Sequence, residues 1–81
     1  MKPLVTLYTR RGCCLCDDVK RTIQAARGRA AFDSEERDID SDPELRRLYN
    51  DEIPVVAIDG RKAFKYKMDM AEFLKKLAAR Q

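Results

Sequence analysis

The chain predicts an α/β fold in which a four-stranded mixed sheet carries helices on both faces. Three observations predict it. Short apolar runs alternate with helix-period patterns in the order β-α-β-α-β-β-α. The opening β-α-β unit closes by a right-handed crossover, which makes the first two strands parallel. Asp59-Gly60, a strong hairpin signal, makes the last two antiparallel.

Leu4 to Thr9 reads as the first strand. Leu4, Val5, Leu7 and Tyr8 are nearly continuous, as expected where both faces of a sheet are covered. Leu15, Val19, Ile23 and Ala26 then recur at helical spacing and predict an apolar stripe. Asp17 and Asp18 suit the positive end of that helix, and Gly28 offers a stop. Ala31 to Ile39 is extended but polar, which predicts an edge strand whose charges block unwanted pairing. A short helix follows, capped either by Asp42 with Pro43 at the first helical position or by Ser41 with Glu44; it is expected to bury Leu45, Leu48 and Tyr49.

Ile53 to Ile58 is the second apolar strand, opened by Pro54. After the Asp-Gly turn, Arg61 to Lys67 alternates, with Ala63 and Lys65 on one face and Phe64 and Tyr66 on the other. Asp69 with Glu72 three residues on resembles a cap. Met70, Phe73, Leu74, Leu77 and Ala78 predict the buried face of the last helix.

An 81-residue chain makes one domain, 1–81. Its three cysteines all fall at positions 13, 14 and 16, so no disulfide closes a long loop and the disulfide-scaffold class is excluded. The stretch from Pro3 to Thr9 is too short for a signal-peptide core, and no apolar run approaches a membrane span. A soluble cytoplasmic protein is expected, in a compartment that keeps thiols reduced. With 17 basic and 14 acidic residues the net charge is only +3, as for solvated faces. Phe64 and Tyr66 among lysines are the nearest approach to a nucleic-acid stripe; strand alternation accounts for them as well, and no nucleic-acid partner is expected.

The chemistry lies in Thr9-Arg10-Arg11-Gly12-Cys13-Cys14-Leu15-Cys16-Asp17-Asp18. With Cys13 at the N-cap and Cys16 one turn in, the two side chains share a face and their sulfurs can close a small ring. The helix N-terminus, Arg10 and Arg11 favour a Cys13 thiolate, and Asp17 and Asp18 oppose it. The expected balance is a lowered but not extreme thiol pKa, which suits a reductant. Cys13 is therefore the candidate nucleophile and Cys16 the resolving thiol. Adjacent cysteines pair badly, so Cys14 reads as an accessory thiol or a packing residue. Gly12 supplies backbone freedom at the turn. With no histidine in the chain, deprotonation falls to electrostatics, a carboxylate or water. Two other readings stay open here: a metal or iron–sulfur module, for which a dimer would have to complete the ligand set, and a redox-inert interaction domain.

Cys13-Cys14-Leu15-Cys16 after the first strand and Ile53-Pro54 opening the third resemble the thioredoxin superfamily, and within it the glutaredoxin-like proteins. The opening stretch from Thr9 to Asp18, with Arg37-Asp38-Ile39-Asp40-Ser41-Asp42-Pro43-Glu44-Leu45 and Ile53-Pro54-Val55-Val56-Ala57-Ile58-Asp59-Gly60, is similar to the small bacterial glutaredoxin-like subgroup. The resemblance implies a thioredoxin-like fold and dithiol exchange with protein or low-molecular-weight disulfides. It implies a cis peptide bond before Pro54, with the backbone at Ile53 pairing to an extended substrate segment. It further implies substrate-binding roles for Arg10, toward a carboxylate, and for Asp69 before the last helix. No bound cofactor or metal is implied; glutathione or a thioredoxin-reductase-type enzyme is the expected electron donor, and a monomer is expected. Where glutaredoxins commonly carry Pro and an aromatic residue between the cysteines, this chain has Cys14 and Leu15, and it lacks their Gly-Gly pair before the last helix.

Overall fold

β1 (Leu4–Thr9) and β3 (Val55–Ile58) form the centre of the sheet, with β2 (Asp33–Asp38) and β4 (Arg61–Lys65) at its edges, in the order β2-β1-β3-β4. The computed structural model describes residues 2–80, the side chains of Cys14 and Arg80 excepted. β1 runs parallel to β2 and antiparallel to β3, and β3 is antiparallel to β4. The helices are α1 (Cys14–Ala26), α2 (Pro43–Tyr49) and α3 (Met70–Arg80), with a single 3-10 turn over Ile39–Ser41. The expected α/β order and mixed sheet are thus what the chain forms.

The central strands are apolar on both sides because helices cover both sides. Val5 and Leu7 of β1 and Val56 and Ile58 of β3 join Val19, Ile23 and Ala26 of α1 and Phe73 and Leu77 of α3 in one cluster. Phe73 is fully buried and meets Phe32 edge-on, with ring centroids 5.5 Å apart. On the other face, Tyr8 stacks on Tyr49 of α2 at 4.6 Å. Asp59 (φ 51°) and Gly60 (φ 86°) hold the two left-handed conformations a tight hairpin needs, and the Asp59 carboxylate accepts the Leu4 N–H at 2.9 Å.

Several expectations are corrected. The polar edge strand starts at Asp33 and ends at Asp38, because Ile39 turns inward and is completely buried at the head of the 3-10 turn. Of the two caps left open for α2, Asp42 with Pro43 is the one that forms, its carboxylate accepting the Glu44 N–H. α2 buries none of its residues: Leu48 stays 46% exposed, and Leu45 and Tyr49 are half-buried. A seven-residue helix covers only the outer part of its face, and Ile39 fills the space behind it. Leu15 is exposed rather than in the α1 stripe, and Cys16 takes the buried position. The β3–β4 register slips between Val56 and Ala57, so Ala63 and Phe64 both pack on the core instead of on opposite faces. β4 ends at Lys65, and Tyr66 lies beyond it at φ 70°. Ala78 is exposed, leaving Phe73 and Leu77 as the buried residues of α3, flanked by half-buried Met70 and Leu74.

Two outcomes follow from this packing. Phe73→Ala removes the ring that joins α3 to Phe32 and is expected to destabilise the fold by about 3–5 kcal/mol, read from the urea midpoint at unchanged slope. Glu35 on β2 accepts from the Arg37 guanidinium at 3.2 Å and from the Thr6 hydroxyl of β1 at 3.1 Å, and the Arg37 bond followed by the Thr6 bond holds its carboxyl below the usual range. A carboxyl with a depressed folded pKa stabilises above its unfolded value, about 4.3, and that contribution fades as pH falls through the folded value. Glu35→Gln is therefore expected to flatten the acid side of the stability curve below about pH 4.5 and leave its neutral shape unchanged.

Candidate redox site

The Cys13 loop is built by a turn and a helix start. Cys13 N–H donates to the Arg10 carbonyl at 3.3 Å, closing a β-turn whose third residue, Gly12, sits at φ 82°. That conformation is open to glycine and strained for other side chains; no atom lies within 4 Å of where a Cβ would stand, so the backbone angle alone sets the requirement. Cys13 is the N-cap of α1 in extended conformation, and its sulfur accepts the Cys16 N–H at 3.3 Å. The sulfur thus takes the position that an Ser or Asp oxygen takes in an ordinary cap, facing one of the unpaired N–H groups of the helix start.

Cys13 and Cys16 are joined by a disulfide, with Cα atoms 5.3 Å apart. Their surroundings differ. Cys13 is half-buried at the surface, whereas Cys16 is 2% exposed among the core residues of α1. The Cys14 side chain, expected as an accessory thiol, lies outside the described residues. Beside Cys13 opens a cleft of about 460 Å³, lined by Arg10, Arg11, Gly12, Asp17, Lys20 and Glu36 among others. Lys20 reaches from α1 to Glu36 on β2 across it, with 3.2 Å between charged atoms.

The other expected site residues fall in three places. Ile53-Pro54 is a cis peptide bond. β1 and β3 pair antiparallel as far as Tyr8 with Val55, so the end of β1 that runs into the Cys13 turn is the end at which Ile53-Pro54 enters β3. Pro54 is buried, its carbonyl accepts the Tyr66 N–H at 2.8 Å, and Ile53 stays half-buried. The turn before Cys13 and the turn into β3 therefore leave the same end of the central strand pair. Asp69 is an exposed residue that caps α3, accepting the Glu72 N–H at 3.1 Å, and is not among the residues lining the Cys13 cleft.

Arg10 is engaged within the chain. Its Nε and Nη2 donate to the two carboxylate oxygens of Asp40, each at 3.0 Å, and Nη2 donates to Asn50 Oδ1 at 2.6 Å. The Arg10 bond draws the Asp40 carboxyl below its ordinary range, and the same bond raises the guanidinium pKa further. Asp40 and Asn50 were not singled out by sequence reasoning. Asp40 sits in a run of acids that reads as a solvated segment, and no spacing rule ties position 10 to position 40 or 50. Among the described residues no helix is long and apolar enough to cross a membrane.

A family model of the glutaredoxin-like domain (DUF836) matches residues 4–78. A structural-genomics protein from Nitrosomonas europaea, solved by NMR, is 26% identical, with 95% of this chain and 93% of that chain aligned at a TM-score of 0.84. A crystallographic relative from X. campestris is 33% identical over 93% of this chain and 96% of its own, at a TM-score of 0.72. A thioredoxin from Halobacterium salinarum is 12% identical, aligned over 96% of this chain and 74% of its own at a TM-score of 0.73; that likeness shows the fold alone. The paired sulfurs at the tip of α1 support a redox-type function. With a match that runs from β1 nearly to the end of α3, the chain belongs to the glutaredoxin-like domain family and is built on the thioredoxin fold.

Proposed function

We propose that this protein is a thiol–disulfide oxidoreductase that reduces protein or small-molecule disulfides. The observation that carries the reading is the unequal exposure of two bonded cysteines: Cys13 reaches the surface beside a cleft, and Cys16 is buried behind it. In the reduced protein the Cys13 thiolate attacks one sulfur of a substrate disulfide. A Cys13–substrate bond forms, the substrate S–S bond breaks, and its other sulfur leaves as a thiolate that takes a proton from water. The Cys16 thiol loses its proton and attacks the Cys13 sulfur, forming the Cys13–Cys16 disulfide and releasing the second substrate thiol. Two electrons pass from the dithiol to the substrate, and the structure corresponds to the oxidised product of that exchange.

The Cys16 N–H facing the Cys13 sulfur, with the helix dipole behind it, supports a stabilised thiolate. Ile53 and Pro54 are the backbone against which an extended substrate lies, a reading supported by their place beside the Cys13 turn. Asp69 belongs to that surface only through the family resemblance, and Cys14 is read as an accessory thiol or a packing residue because adjacent cysteines pair badly. Re-reduction takes two electrons from glutathione or from a reductase of the thioredoxin-reductase type. The protein works as a cytoplasmic monomer with no bound cofactor or metal in this reading.

The test is disulfide reduction followed by mass-resolved alkylation. Cys13→Ser is expected to abolish reduction. Cys16→Ser is expected to stop turnover and leave the substrate covalently held on Cys13 as a mixed disulfide. Full activity in Cys13→Ser would overturn the assignment, and a substrate adduct on Cys14 in place of Cys13 would move it to another thiol.

A further inference from the structure

The geometry points to Arg10 as a positioning residue: its guanidinium joins the Cys13 turn to the segment that leads into Ile53-Pro54, and is not a ligand for substrate. The inference rests on the oxidoreductase reading and deepens it, because it assigns the relative placement of nucleophile and substrate backbone to one side chain.

Arg10 is tied at both ends. Its carbonyl accepts the Cys13 N–H at 3.3 Å, so movement of Arg10 moves the nucleophile's backbone. Its guanidinium makes a two-pronged bond to Asp40 and a third bond to Asn50. Asp40 is itself held: its N–H donates to Asp38 Oδ1 at 2.9 Å, and Arg46 of α2 lies 3.4 Å from its carboxylate and donates to its carbonyl. Asn50 is the C-cap of α2, and its amide donates to Asp51 at 3.2 Å. From there the chain runs directly into Ile53, and that short segment is anchored at its far side. The Tyr66 hydroxyl donates to the Asp51 carbonyl, Lys62 bonds Glu52 at 2.6 Å, and the Tyr66 N–H holds the Pro54 carbonyl. Arg10 therefore closes a path of hydrogen bonds from Cys13 to Pro54 through side chains drawn from three separate stretches of sequence.

A planar fork is needed for this. Lysine would keep the charge but could not bond both Asp40 oxygens and Asn50 in one fixed plane. The Asp40 pair is also a poor device for stability alone, since its side chains are 32% and 39% exposed and such pairs add little to folding. Among the described residues another cation stands next door for an incoming anion: Arg11 is exposed and lines the cleft. Placement of reacting groups is where a small displacement carries a large rate penalty.

The experiment compares Arg10→Lys, Asp40→Asn and the double variant in the full chain. Three quantities are read: kcat/KM on a peptide disulfide, the exchange rate of the Cys13 amide hydrogen in the oxidised protein, and the melting temperature. The expected result is a loss of about tenfold in kcat/KM for each single variant, with the double variant no worse than either. Cys13 amide exchange is expected to speed up in all three while melting shifts by no more than about 2 °C. The inference is overturned if Asp40→Asn keeps or raises activity with a lower KM for carboxylate-bearing disulfides, since a freed guanidinium would then be binding substrate. It is also overturned if the two losses add while Cys13 amide exchange stays as in the parent. Should the parent protein exchange no disulfide at all, the oxidoreductase reading fails. The amide measurement then still decides the clamp: faster exchange in both single variants upholds it, and unchanged exchange removes it.

Discussion

The antiparallel pairing of β1 with β3, from Val5 with Ile58 to Tyr8 with Val55, fixes the two backbones between which the site is made. Both strands are covered on both faces, and in β3 every residue is buried. Sliding β1 by a residue would turn Val5 and Leu7 away from α1 and α3, and sliding β3 would turn Val56 and Ile58 away, at a loss of apolar burial no local contact could restore. The register is thereby locked far from the sulfurs, and the lock carries to the strand ends. The Cys13 turn leaves β1 at the same end where Ile53-Pro54 enters β3. Proximity of the dithiol to the substrate backbone is in this sense a property of the core.

Electrostatics at that end is arranged in layers. Nearest the sulfur are neutral dipoles: the Cys16 N–H and the start of α1. Around the Cys13 cleft Arg10 is paired with Asp40 and Lys20 with Glu36. A thiolate stabilised chiefly by backbone dipoles is less exposed to salt than one that depends on a mobile side-chain cation, because dipoles fixed in the fold do not move away. The acidic segment from Asp33 to Asp42 takes part in this arrangement. It supplies the partners that hold Arg10, Lys20 and Arg37, so that few of the basic residues near the site remain free.

How far the sequence could be read depended on the range of the interaction involved. Signals carried by adjacent residues were legible: Cys13 and Cys16 at a helix start, Asp59-Gly60 at the hairpin, Asp42-Pro43 and Asp69 at helix starts, Gly12 at the turn. Each answers a local backbone demand that does not depend on the rest of the chain. Burial inferred from periodicity was legible only where an element lies fully over the sheet. Leu15 belongs to the α1 stripe by spacing, yet it falls in the first turn of the helix, and the buried stripe begins one position later, at Cys16. Leu48 fails likewise, on a helix too short to cover its face. The slip at Ala63 is a property of strand pairing that alternation in one strand cannot reveal. The Arg10–Asp40–Asn50 network was illegible because it joins residues that only the finished fold brings together. A cation and an acid in a chain rich in both carry no pairing information.

The unequal burial of the two sulfurs imposes an order on the chemistry that spacing alone does not. A C-x-x-C pair is symmetric in sequence, and either sulfur could receive an incoming disulfide if both were accessible. Here Cys16 lies among the α1 core residues at 2% exposure, which in the proposed exchange leaves Cys13 as the sulfur that meets a substrate disulfide. Cys13 lines the cleft, and its sulfur is bonded to that of Cys16. In the proposed exchange, attack runs from outside to Cys13 and from Cys16 to Cys13. The absence of histidine fits the same asymmetry. In the proposed exchange the outer sulfur attacks as an anion facing the helix start, and the inner one loses its proton as it attacks the mixed disulfide beside it. A buried thiol that waits in its neutral form is protected from oxidants that would meet an exposed thiolate. The fold thus separates readiness from protection by placing one sulfur on each side of the protein surface.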